Sequence, residues 1–80
     1  MQIQFTLTNG QGSNYTVKVF DWFGNTPREI AGSPFAIASG ATEGPMSANA
    51  DNNGDATIEY QAQGGPSLRT TVSNGDNVTF

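Results

Sequence analysis

The stretch Gln2-Ile3-Gln4-Phe5-Thr6-Leu7-Thr8 alternates between polar and apolar side chains at every position. Successive side chains of a β-strand point to opposite faces of a sheet, so this alternation predicts a strand with one buried face and one solvated face. A helix would instead place apolar residues at every third or fourth position, and that spacing does not recur along the chain. The stretch therefore predicts an all-β protein.

The period of two returns in further short segments. Tyr15, Val17 and Val19 are predicted to face the core from a second strand, and Ile58 and Tyr60 from a later one. The weaker alternations contain Phe35 and Ile37, Met46 to Ala50, Leu68 to Val72, and Val78 with Phe80. About six or seven short strands separated by Gly, Pro, Asn and Asp predict a small antiparallel β-sandwich, or a small barrel, that occupies residues 1–80 as a single domain.

Two dipeptides predict how parts of the chain are connected. Asn74-Gly75 lies between two β-like runs, and this dipeptide favours a type I′ turn because both central residues need positive φ. We therefore expect a hairpin there. Thr26-Pro27 is typical of a helix start, so one helical turn is expected over residues 26–30.

The segment Gly32-Ser33-Pro34-Phe35-Ala36-Ile37 is followed by Asp51-Asn52-Asn53-Gly54-Asp55 and then by the alternating strand that ends at Tyr60. In this order the segments resemble bacterial Ig-like and prealbumin-like sandwich domains, in which an Asp-x-x-Gly turn precedes an alternating strand. The resemblance implies a surface module and carries over no catalytic residues. An Ig-like or jelly-roll-like sandwich is therefore the expected fold class.

Several chemistries have no residues to support them. The chain contains no histidine and no cysteine, so Ser-His-Asp and Cys-His catalysis, disulfides and His/Cys zinc sites are excluded. No glycine-rich phosphate loop is present, and a domain this small offers little room for a deep cleft. We expect a protein that is not an enzyme, with no catalytic residues, no cofactor and no metal.

The charge balance limits the partners. Three basic residues stand against seven acidic ones, for a net charge of −4, which gives nucleic acids and anionic membranes little electrostatic attraction. No apolar stretch is long enough to span a membrane, and the N-terminal alternation does not resemble a signal peptide. We therefore expect neither nucleic-acid binding nor membrane insertion.

The segment from Asp51 to Asp55 offers oxygen ligands at the short spacing of calcium loops. The twelfth position of such a loop would be Ala62, and Gly54 is in the fourth place instead of the sixth. A turn is the favoured interpretation, because Asn, Asp and Gly tolerate left-handed backbone, and calcium is the alternative.

Phe20, Asp21, Trp22 and Phe23 form the candidate interface. If Val17 and Val19 face the core, Phe20 and Trp22 lie on the opposite face, where large aromatic side chains mark contact surfaces. Trp22 beside Asp21 could instead stack on a sugar ring. The third alternative is that a bulge, or a cover over the sheet, buries these residues in the core.

Only 12% of the residues are charged, against roughly twice that fraction on a typical solvated surface. Small domains with thin cores often gain stability by oligomerisation. We therefore expect a non-enzymatic structural or assembly subunit, most simply a small virion protein of the bacteriophage capsid-associated kind. It would contact other protein subunits, including copies of itself, at the surface of a virion or other extracellular particle. The alternatives are a carbohydrate- or protein-binding module anchored by Trp22, and a small acidic inhibitor.

Overall fold

The structure is a computed structural model that describes residues 1–80. It contains eight β-strands and one three-residue 3-10 turn, Phe23–Asn25. The strands are β1 (Gln2–Thr8), β2 (Tyr15–Asp21), β3 (Arg28–Glu29), β4 (Phe35–Ile37), β5 (Thr42–Asn49), β6 (Ala56–Ala62), β7 (Ser67–Val72) and β8 (Asp76–Thr79).

The strands form two sheets. Sheet 1 has the order β5-β1-β8, and sheet 2 has the order β3-β2-β6-β7, with β4 also paired to β2. The predicted all-β sandwich is confirmed. The structure has one strand more than expected, β3, whose two residues are too few to show an alternation in the sequence. In addition, β5 begins at Thr42, four residues before the weak alternation that starts at Met46.

The expected hairpin at Asn74-Gly75 is wrong. β7 and β8 lie in different sheets, and β8 pairs with β1 in parallel, which makes this pair an exception in an otherwise antiparallel fold. Gly75 has φ of 89°, but Asn74 does not share the positive φ of a type I′ turn. The dipeptide binds β1 instead: Gln4 N donates to Asn74 Oδ1 at 2.9 Å, and Gly75 N donates to Gln4 O at 2.7 Å.

The expected helical turn over residues 26–30 is also wrong. Arg28 and Glu29 form β3 opposite Asp21 and Phe20, and Ile30 N donates to Val19 O at 2.9 Å. Pairing with the edge of β2 provides backbone hydrogen bonds to this segment, whereas a single helical turn is costly to nucleate.

One apolar cluster fills the space between the sheets. Its buried members are Ile3, Phe5, Leu7, Val17, Val19, Ile30, Ile37, Met46, Ala48, Ala50, Ala56, Ile58, Tyr60 and Val72. The predicted inward faces of β1, β2 and β6 are therefore confirmed. At one end Phe80 closes the cluster, with its ring centroid 6.3 Å from that of Tyr15 and 6.5 Å from that of Tyr60.

Asn9 is a polar residue in this interior, with no exposed surface. Its Nδ2 donates to Ile37 O at 2.9 Å and to Ser13 O at 2.8 Å, and its Oδ1 accepts from Gln11 N at 2.8 Å. A buried amide is stable only when it is hydrogen-bonded in this way. Asn9 thereby ties the β1–β2 loop to the end of β4.

None of the structure's helices has the length and apolar character that crossing a membrane requires.

Leucine-to-alanine substitution at one buried and one exposed position tests which side chains belong to the core. Leu7 is fully buried and Leu68 is 48% exposed. Leu7→Ala should lower the free energy of unfolding by about 2–5 kcal/mol because it leaves a cavity. Leu68→Ala should lower it by less than about 1 kcal/mol. Urea denaturation of the two variants measures the difference, and equal losses would contradict the described core.

Candidate functional site

The aromatic pair at the end of β2 lies on the outer face of sheet 2. Val17 and Val19 are fully buried, and the intervening side chains point away from the core. Trp22 N donates to Thr57 O at 3.0 Å, which continues the pairing of β2 with β6 one residue beyond the strand. Because the alternation is not interrupted, Phe20 and Trp22 share the outer face, and both are half-buried.

Asp21 points the other way and is 6% exposed. Its Oδ2 accepts from the backbone N of Asn49 at 2.9 Å and from Asn49 Nδ2 at 3.0 Å, and its Oδ1 accepts from Phe23 N at 3.0 Å. Charge-assisted bonds of this kind are stronger than neutral ones. Asp21 therefore connects sheet 2 to sheet 1 and lies beneath the surface that the other three predicted residues reach.

Trp22 is held by two side chains from neighbouring strands. Its Nε1 donates to Glu59 Oε1 at 3.0 Å, and the same oxygen accepts from Arg69 Nε at 3.3 Å. The guanidinium carbon of Arg69 lies 3.7 Å from the centroid of the Trp22 ring, which is a close cation–π contact. The three side chains restrict one another's rotamers and form a preorganised cluster.

Phe23 is the most exposed of the four predicted residues, at 50%. It begins the 3-10 turn, in which Gly24 and Asn25 have positive φ of 70° and 60°. This left-handed bend turns the chain back towards β3 and leaves Phe23 exposed, lining the same surface pocket as Trp22. We call Phe20, Trp22, Phe23, Glu59 and Arg69 the aromatic patch.

Glu59 and Arg69 belong to the patch but could not be identified from the sequence as its members. The strand register places Glu59 opposite Phe20 on one side and opposite Arg69 on the other. Their outward direction follows from the period of two in β6 and β7. Their contact with Trp22 depends on which strands are neighbours, and local sequence does not specify that.

A shallow pocket of about 280 Å³ adjoins Trp22 at this end of the sandwich. It is lined by Trp22, Phe23, Gly24, Asn25, Asn49, Asp51, Asp55 and Thr57. The lining combines one indole ring with amide, carboxylate and hydroxyl groups.

The predicted turn at Asp51 to Asp55 forms part of this pocket. Asp51 Oδ1 accepts from Asn53 N at 2.9 Å and from Asp55 N at 3.0 Å, so this carboxylate oxygen caps its own turn. Gly54 has φ of 82°, as expected for the left-handed position of such a turn. No group of three acidic side chains converges here or elsewhere in the chain.

Comparisons of the chain with protein-family models, curated proteins and solved structures found no match. The resemblance of residues 32–60 to bacterial Ig-like and prealbumin-like domains therefore stays a prediction. The function must be inferred from the geometry of the patch and its surroundings.

Removal of the Arg69 side chain tests the geometry of the patch. Trp22 is the only tryptophan, so its fluorescence reports on this site alone. Arg69→Ala should shift the emission to longer wavelength and increase quenching by acrylamide, because the guanidinium no longer covers the ring. Lys18→Ala is the matched control, since Lys18 lies on the same face of β2, whereas the side chains that hold Trp22 are Glu59 and Arg69. An unchanged spectrum for Arg69→Ala would contradict the stacking.

Proposed function

We propose that the protein is a non-enzymatic structural subunit that binds other protein subunits through the aromatic patch. The observation that carries the proposal is the cluster on sheet 2, in which Arg69 is fixed over Trp22 by Glu59. Phe23, beside it, exposes half of its surface.

The composition of the patch suits a protein contact. Tryptophan and arginine are enriched among the residues that contribute most to interface free energy. Because Trp22 and Arg69 already restrict each other, little side-chain entropy remains to be lost on binding. Only Nε of Arg69 is bonded within the chain, so its terminal nitrogens are free to donate to acceptors of a partner.

The opposite face of the domain supports a setting inside a larger assembly. The residues of sheet 1 that alternate with its buried ones carry no charge; they are Gln2, Gln4, Thr6, Thr8, Thr42, Ser47, Asn77 and Thr79. Some of them bond to one another, as in the 2.7 Å contact between the hydroxyls of Thr8 and Thr42. An uncharged, hydrogen-bonded face costs less to desolvate than a charged one.

A particle built from many protein subunits would cover both faces. We therefore propose a virion, such as a bacteriophage capsid, or another extracellular particle as the setting. The low charged fraction of the chain, 12%, supports this setting because a particle-embedded domain needs fewer charges to stay soluble.

Site-specific photo-crosslinking tests the proposal. A photoreactive residue at position 23 should give discrete adducts with partner subunits in the source cells or particles, and Trp22→Ala should abolish those adducts. Position 38 is the control, since Ala38 is exposed and follows β4 at the other end of the sandwich. Absence of any adduct at position 23, or adducts that Trp22→Ala leaves unchanged, would exclude the patch as the contact surface.

The pocket beside Trp22 supports one alternative, a carbohydrate-binding module. Sugar rings stack on indole and their hydroxyls bond to amide and carboxylate groups, and this pocket places both kinds of group together. On a glycan array the alternative predicts binding that is lost in Trp22→Ala and also in Asp55→Ala, with Thr16→Ala as the control. No glycan binding by the wild-type protein would remove the alternative and leave the protein contact.

A further inference from the structure

The two sheets have four unpaired edges, and three of them are interrupted or short. One edge of sheet 2 is divided between the two-residue β3 and the three-residue β4, which both pair with β2. In β5, Gly44 and Pro45 interrupt the register, and β8 has only four residues. Short strands, prolines and bulges are the features by which proteins prevent edge-to-edge pairing.

The interruption in β5 requires a glycine at position 44. Its φ is 119°, and a Cβ there would lie 3.1 Å from Phe5 O, so glycine alone fits. β7, in contrast, pairs without a break along its six residues and contains no glycine or proline. It is the longest regular edge of the protein.

The backbone groups of β7 that face outward can be assigned from the neighbouring strand. Thr57 O accepts from Trp22, so Thr57 faces β2, and the next residue, Ile58, faces β7. Thr70 lies opposite Ile58 and therefore bonds to β6. The N–H and C=O groups of Arg69 and Thr71 consequently point to solvent.

Charge favours this edge over the edges formed by β5 and β8, which contain Glu43 and Asp76. β7, with Arg69, is the only strand with a net positive charge, whereas the rest are neutral or negative and the chain as a whole carries −4. Two copies that approach through β7 therefore avoid bringing acidic strands together. Glu59 bonds to Arg69 in each copy and offsets its charge.

We infer that two copies of the protein associate by antiparallel pairing of β7 with β7, about a two-fold axis at Thr70. Arg69 of each copy then exchanges backbone hydrogen bonds with Thr71 of the second copy. A two-fold axis at Arg69 would place the two guanidinium groups directly opposite each other, which is unfavourable.

The same register gives the exposed leucine a partner. Leu68, 48% exposed, lies opposite Val72 of the second copy, on the inner face of the joined sheet. Sheet 2 becomes continuous across the pair, with both aromatic patches on one surface. The inference extends the proposed function by naming a second copy as one partner. It uses only the backbone of Arg69 and its neighbours in β7, so the side chains of the aromatic patch stay available.

Sedimentation velocity over a concentration series tests the association. The wild-type protein should form a dimer as concentration rises. Thr71→Pro removes an outward N–H and should raise the dissociation constant by roughly tenfold or more, since the loss occurs twice about the axis. Thr71→Ala keeps that N–H and should dimerise nearly as well as the wild type. Trp22→Ala should also dimerise, which separates this test from that of the patch.

Hydrogen exchange of the wild-type protein gives a second readout that does not depend on a variant's folding. The amides of Arg69 and Thr71 should exchange rapidly in dilute solution and slowly at dimer concentrations. A monomer up to millimolar concentration would overturn the inference. A dimer in which the amides of Asn77 and Thr79 become protected while those of β7 stay unprotected would overturn it as well.

Discussion

The buried carboxylate of Asp21 is the interaction on which this end of the molecule depends. It accepts hydrogen bonds from the backbone and side chain of Asn49 in sheet 1, and from the backbone of Phe23, which begins the turn after β2. The first two bonds connect the two sheets directly at this end. The third holds the start of the turn that follows Trp22, next to the surface on which Trp22 meets Glu59 and Arg69.

The alternation of side chains divides the protein into a core and two unlike outer faces. Sheet 1 presents threonine, glutamine and asparagine, and sheet 2 presents the aromatic patch with its ion pair of Glu59 and Arg69, in which the two side chains lie 3.3 Å apart. Surface ion pairs contribute little to stability on their own. Here the pair has a clearer structural effect, because it orients the single indole ring. For this reason the proposed protein contact is assigned to the outer face of sheet 2.

The sequence was sufficient to predict the fold class and the buried faces. Ile3, Phe5 and Leu7 lie at alternate positions, so in a strand all three must point to the same face. The sequence was insufficient where hydrogen bonds to a residue far away in the chain outweigh the local turn preference of a dipeptide. Asn74-Gly75 has the composition of a hairpin turn, yet both residues bond to Gln4 of β1 and carry the chain into the other sheet. Glu59 and Arg69 stayed unidentified as members of the site because strand neighbours are set by tertiary packing.

The most direct test of this account is amide hydrogen exchange by NMR in the wild-type protein and in Asp21→Ala. The account predicts that the amides of Asn49 and Phe23 are protected in the wild type and that both lose protection in the variant. The amide of Ile30, which bonds to Val19, should stay protected and report that the sandwich is still folded. Rapid exchange of Asn49 and Phe23 in the wild type, or protection that survives loss of the carboxylate, would contradict the central role of Asp21.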